Sequence, residues 1–289
     1  MSGLYLWWGD LARGLHLPEA FQYPFVARGI VAILLLAPLL GGLSHLVVAR
    51  RLAFFSTALG QAALTGLTIG VTIGEPLNAA YASIFGFCLL CGVLMVYVRR
   101  QVLLPADTVV GVFMAFTLGL GICLLVAATR QFNIHQIEAV MFGSLLTVTD
   151  ADLLVLAIVA VLVGAGLFAT YNLVLSDCLS PQLARAQGAP TALIEYLFVV
   201  VLTMAITASL KVIGALLVEA MVLVPAAAAR NLARSTRGYL AWSVVLAVVT
   251  GVAGLAVSTL WRVPTGGAVV LALCLCFFLT LPARALRRA

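Results

Sequence analysis

Charge is scarce in this chain. Of its 289 residues, 9% are Asp, Glu, Lys or Arg, while 64% are hydrophobic. Soluble globular domains carry about 25% charged residues, so a soluble enzyme or binding domain is excluded. No polar run is long enough for such a domain, and the longest between apolar segments is 175–190. Lysine is almost absent: Lys211 stands alone and precedes Ile-Gly. It does not follow a glycine loop, so the Walker A route to ATP is missing. HExxH and GxSxG are missing too, and the histidines, His16, His45 and His135, are scattered. Nothing here builds a catalytic site or calls for a covalently held cofactor. Active transport would draw its energy from a partner chain or an ion gradient. Cysteine is sparse, and the Cys88–Cys91 pair has metal-like spacing in the middle of an apolar run. With no second pair of ligands nearby, these cysteines read as small packing residues, and no disulfide framework is present.

What the chain has is apolar length. A helix spanning a bilayer needs about 20 mostly apolar residues. Segments at 25–48, 52–74, 78–98, 107–128, 151–174, 191–209, 212–229, 239–261 and 266–282 qualify. The fold class is therefore all-α: a multi-pass membrane protein of about eight or nine spans. The stretch 134–148 is apolar but too short to span. Residues 1–24 carry Trp7, Trp8, Asp10, Arg13 and His16 among leucines and read as an interfacial segment. They lack the basic start, clean apolar core and small-residue cleavage site of a signal peptide. The remainder, 25–289, reads as one transmembrane domain.

The net charge of +6 is topological and points to no nucleic acid. With the first span running inward, Arg50, Arg51, Arg99, Arg100, Arg185, Arg230, Arg234, Arg237, Arg284, Arg287 and Arg288 fall on one side. Arg13, Arg28, Arg130, Lys211 and Arg262 fall on the other. The positive-inside rule then places the C-terminus in the cytoplasm.

Within the second segment, Thr57, Gln61, Thr65, Thr68 and Thr72 repeat at helical spacing and share one face. Polar groups facing lipid are costly, so the stripe is expected to face a water path or a protein partner. The alternative is that the threonine hydroxyls bond back to their own helix carbonyls. Gln61 resists that alternative, because an amide has more positions to satisfy. Gly66, Gly70 and Gly74 form a small-residue ridge on another side, suited to close helix contact.

Glu219 lies near the middle of segment 212–229, where a carboxylate costs about 3 kcal/mol on insertion scales. It is expected either to bind or relay a cation or to sit protonated between helices. Lys211 is on the same face but about 12 Å along the axis, too far for direct pairing. Asp107, Asp150, Asp152 and Glu195 stand at segment starts, where helix dipoles favour anions. In the loop after segment five, Ser180 suits an N-cap, Pro181 the first helical turn and Gly188 a C-terminal stop. A short cytoplasmic helix over 180–188 is expected, of the kind a membrane subunit presents to a partner.

Three stretches together resemble the membrane subunit of metal-type ABC importers, which carry zinc, manganese or iron into bacteria. The first is Val47 to Phe54 leading into Ala58-Leu-Gly-Gln61-Ala62-Ala63-Leu64-Thr-Gly66. The second is Met141-Phe142-Gly143-Ser144-Leu145-Leu146 with Asp152 following. The third is Ser180 to Gly188, then Val212-Ile-Gly214-Ala-Leu-Leu-Val218 and Val224-Pro225 with four alanines. They occur in the family's order and cover most of the chain. The resemblance implies a bacterial inner-membrane permease that works as a homodimer. Its partners would be cytoplasmic ABC ATPase subunits, which bind ATP, and a periplasmic substrate-binding protein. It makes 180–188 the coupling helix, with Ser180, Pro181, Leu183, Ala184, Arg185, Ala186 and Gly188 at the ATPase.

One departure matters. The family pattern has Asp where this chain has Thr57, His where it has Gln61, and Pro where it has Thr65. The Asp and His would be metal ligands, and the replacements lose both the charge and the imidazole. Glu219 stands where the family usually carries a small or apolar residue. The expected path residues are Thr57, Gln61, Thr65, Thr68 and Glu219, with Gln61 and Glu219 as candidate metal ligands and iron favoured as the transported ion. Two alternatives stay open: a secondary transporter with Glu219 as its ion site, and an ABC permease for a non-metal solute.

Overall fold

The computed structural model describes residues 24–75, 80–102, 104–128, 148–179, 190–261 and 263–285. Among them stand nine helices, all long and apolar enough to cross a membrane. They are α1 (Pro24–Ala49), α2 (Phe55–Ile73), α3 (Tyr81–Gln101), α4 (Ala106–Ala128), α5 (Asp150–Leu179), α6 (Thr191–Ile213), α7 (Ala215–Leu232), α8 (Thr236–Trp261) and α9 (Thr265–Ala285). No strand occurs among the described residues. The expected elements at 1–23, 134–147 and 180–188 lie outside them.

The outward surfaces are apolar. Phe116 of α4 is 59% exposed and Phe168 of α5 is 90% exposed, alongside Val112, Ile158 and Val161. An apolar exterior over apolar cores is the pattern of helices dissolved in lipid, where backbone polar groups are satisfied inside each helix.

The helices divide into two compact units. One draws on the described parts of Leu46–Met141 and Val161–Leu210, the other on those of Met1–His45, Phe142–Ala160 and Lys211–Ala289. Thus α1, α5 and α6 each pass from one unit into the other.

In the first unit, α2, α3 and α4 pack on one another. A Cβ on Gly66 of α2 would meet the Ile84 Cα and the Ser83 carbonyl oxygen of α3 at 3.0 Å. The expected small-residue ridge is therefore real at Gly66 and Gly70, but Gly74 is not part of it. Gly74 stands just past the helix with φ of 97°, the left-handed position that glycine fills without a steric cost. Its amide reaches the Val71 carbonyl at 3.1 Å and that of Glu75 reaches Gly70 at 2.9 Å, a Schellman stop. The α1–α2 turn ends similarly at Arg51, whose φ of 56° is paid without a glycine. There the Leu52 amide reaches the Val47 carbonyl at 3.0 Å.

In the second unit, α7, α8 and α9 pack together. Gly254 of α8 lets α9 approach so closely that a Cβ there would stand 2.5 Å from the Val269 Cα. Ser243 of α8 donates its hydroxyl to the Gly41 carbonyl of α1 at 2.7 Å. Pro225 lies inside α7, where its ring disturbs the backbone ladder. The next amide, of Ala226, reaches the Ser44 hydroxyl of α1, which accepts it at 3.1 Å.

The break between α6 and α7 sits at Gly214, with φ of 80° and ψ of 164°. The sequence placed the break around Lys211, but that residue lies in the last turn of α6. Only glycine takes this backbone conformation readily, so the helix runs on to Ile213 before it stops. With the helix broken at Gly214, Lys211 and Glu219 do not share one continuous helical face.

Candidate translocation path

On α2 the polar stripe divides into parts. Thr65 is fully buried and Thr68 is 3% exposed. The Thr65 hydroxyl donates to the Thr117 carbonyl of α4 at 2.7 Å, with the Gln61 carbonyl 3.2 Å away. A Cβ on Gly121 would lie 2.6 Å from the Thr65 Oγ1, so α4 crosses α2 at that hydroxyl. Thr68 donates to Leu64 at 2.8 Å, and Thr72 to Thr68 at 2.7 Å, where Thr72 is exposed at the helix end. These three hydroxyls thus bond carbonyls four residues back, and Thr65 also serves helix packing.

Thr57 and Gln61, one turn apart, are half-buried. Gln61 stands out. Its carboxamide Oε1 is buried and accepts no hydrogen bond among the described residues. A buried amide oxygen left without a donor costs about 1–3 kcal/mol, so such groups mark places where water, an ion or another chain supplies the missing contact.

Glu219, in the other unit, is also half-buried. Because α7 starts at Ala215, Glu219 is in the first turns of that helix and not near the middle as its sequence position suggested. It stands about 6 Å along the axis from the helix start, beyond the first turn. Among the described residues, no three His, Cys, Asp or Glu gather as a metal-binding group. Cys88 and Cys91 are buried, and Cys88 Sγ lies 3.7 Å from the Leu59 carbonyl of α2, a packing contact. The coupling residues Ser180, Pro181, Leu183, Ala184, Arg185, Ala186 and Gly188 lie outside the described residues.

Two ion clusters show more than the dipole placement that sequence position suggested. Glu195, in the first turns of α6, receives both arginines that end α3. Its Oε1 is 3.2 Å from Arg99 Nη1, and its Oε2 is 2.9 Å from both Nε and Nη2 of Arg100. In the other unit, Asp150 pairs with Arg28 at 3.0 Å. There Asp152 lies 3.8 Å from Lys211 and accepts both the amide and the hydroxyl of Thr149. The available signal for these pairs is the charge topology, which puts Arg99 and Arg100 on one membrane side and Arg28 and Lys211 on the other, while the acids stand out only as helix-start residues. The helix-dipole explanation was incomplete, because an acid at a helix start also meets basic residues near an end of another helix: α3 for Glu195, α1 for Asp150 and α6 for Asp152.

Residues 22–284 match the family model described as the ABC 3 transport family. The chain is 27% identical over 259 residues to the high-affinity zinc uptake system membrane protein ZnuB of Haemophilus influenzae, covering 90% of this chain and 96% of that protein. It is 25% identical over 271 residues to the manganese import system permease protein ScaB of Streptococcus gordonii, covering 94% of each. Its fold is similar to that of PsaBC from Streptococcus pneumoniae, solved in complex with a Fab. The TM-score is 0.78 at 22% identity, over 96% of this chain and 97% of that one.

Proposed function

The chain belongs to the ABC 3 transport family, and on that premise we propose that it is the permease subunit of an ATP-driven importer for a divalent first-row metal ion. Two copies would form the path in the bacterial inner membrane, with the C-terminus in the cytoplasm. Cytoplasmic ABC ATPases would bind ATP, and a periplasmic binding protein would deliver the ion. Residues 25–289 act as one permease domain, because three helices run through both compact units. Segment 180–188 would dock on the ATPase, so that ATP binding and hydrolysis switch the path between its two openings.

The observation that carries the path assignment is Gln61. Its buried Oε1 has no donor among the described residues, although the helix around it is well packed. A passing cation or its water shell supplies what that oxygen lacks. Thr57 lies one turn away on the same face, and Glu219, in the other unit, is proposed on its own account as an anionic group for the ion. Thr65 supports the path by holding α2 against α4, and Thr68 is kept as a path residue on the same helix. These donors are oxygens where the family pattern has imidazole and carboxylate. Oxygen donors disfavour zinc relative to harder ions, so iron or manganese is expected ahead of zinc. Manganese gains support from the ScaB relative and iron from no relative named above.

The test is uptake by the complete complex in proteoliposomes loaded with ATP. Gln61→Leu and Glu219→Ala should each abolish metal uptake while the complex still assembles. Wild-type uptake in both variants would remove the path assignment.

A further inference from the structure

Three guanidinium groups converge on the first turns of α6. Arg99 and Arg100, at the end of α3, bracket the Glu195 carboxylate. Arg100 also sits 5.9 Å from the ring centre of Tyr196, and Arg50, from the end of α1, lies 4.8 Å from that of Phe198. The Glu195 side chain is only 15% exposed, so these contacts are partly desolvated and screened less than a surface pair. Arg100 holds the carboxylate through two nitrogens, which fixes direction as well as distance.

This cluster is not needed to bring α3 and α6 together. They already meet within their apolar lengths, where a Cβ on Gly92 of α3 would stand 2.7 Å from the Thr203 Oγ1 of α6. Arg100 lies eight residues beyond Gly92, about 12 Å along the helix. A pair of helices joined at one crossing can pivot there. A second tie 12 Å away, by the same rise, removes the pivot, and a displacement of one helix end is then carried into the other.

We propose that Glu195 is a positioning residue for transport: it locks the start of α6 to the end of α3, so that movement of the segment before α6 shifts both helices as one body. The inference rests on 180–188 being the part that docks on the ATPase. Without Glu195 the start of α6 would move while α3 stayed behind, and ATP hydrolysis would no longer drive the path.

The experiment uses the full complex of permease, ATPase and metal-loaded binding protein in proteoliposomes, with radioactive manganese and iron as probes. Its readout is metal imported per ATP hydrolysed. Glu195→Gln should leave co-purification of the ATPase and basal hydrolysis intact and lower the coupling ratio about tenfold. Exchange of the charges, with Glu195→Arg and Arg100→Glu together, should restore most of that loss. An unchanged ratio in Glu195→Gln would overturn the proposal, as would a loss that the exchange does not repair or that merely follows dissociation of the ATPase. In each case a coupled wild type leaves the importer assignment standing. A wild type with no ATP-driven metal uptake would remove that assignment and this inference together.

Discussion

The Thr65 hydroxyl donates to the Thr117 carbonyl oxygen at 2.7 Å, and through it a stripe that reads as a path in sequence becomes, in part, the seam between α2 and α4. The hydroxyl occupies the space that a Cβ on Gly121 would need, 2.6 Å away. Gly121→Ala should therefore destabilise the protein by about 1–3 kcal/mol through overpacking. In a Thr65→Ala background the same substitution should cost much less, because the obstructing atom is gone. Thermal unfolding of the four proteins in detergent measures this coupling, and additive effects would show that the seam relaxes in another way.

A second cycle tests the Ser44 contact beside Pro225 of α7. The Ala226 amide, one residue past Pro225, donates to the Ser44 hydroxyl of α1. Ser44→Ala should cost about 1 kcal/mol by removing this buried hydrogen bond. With Pro225→Ala alongside, the helix can close over that amide and the cost of Ser44→Ala should shrink. Equal costs in both backgrounds would mean that the serine does not compensate for the proline.

Changing the donor at the path should change the cargo. Gln61→His supplies imidazole, a ligand that suits zinc. Its uptake of zinc relative to manganese should rise about tenfold, from roughly 1.4 kcal/mol of differential binding. Competition between the two metals in whole-cell or proteoliposome uptake reads the ratio. An unchanged ratio would mean that Gln61 does not touch the ion.

Glu219 separates charge from shape. Glu219→Gln keeps the size and hydrogen-bonding reach but removes the charge. It should lower metal uptake as severely as Glu219→Ala while leaving the melting temperature close to that of the wild type. If Glu219→Gln transports normally, the residue serves as a neutral hydrogen-bonding group between helices and holds no cation.

Much of the architecture is legible in sequence for simple reasons. Apolar length of about 20 residues marks a span, and clustered arginines mark its end. Close contact through Gly66 follows from small residues at a four-residue spacing. Periodicity gives the face of a helix but not the neighbour on that face. This is why Thr57 and Gln61 could not be told apart from Thr65: the difference is made by Gly121, far along the chain on α4. The position of Glu219 was misjudged for a different reason. A glycine inside an apolar run does not declare itself a break, and Gly214 becomes one only by taking positive φ. The ion pairs of Glu195 and Asp152 were hidden because each joins helix ends remote in sequence, and charge sidedness places the basic residues alone.

The most direct measurement reconstitutes this chain with its ATPase and binding protein and follows metal entry under two driving forces, ATP alone and an ion gradient alone. ATP alone should drive uptake of manganese or iron in the absence of any membrane gradient, and Gln61→Leu should abolish it. Uptake that runs on a gradient without the ATPase, or an intact complex that moves none of manganese, iron and zinc, would contradict the assignment as a metal-importing ABC permease.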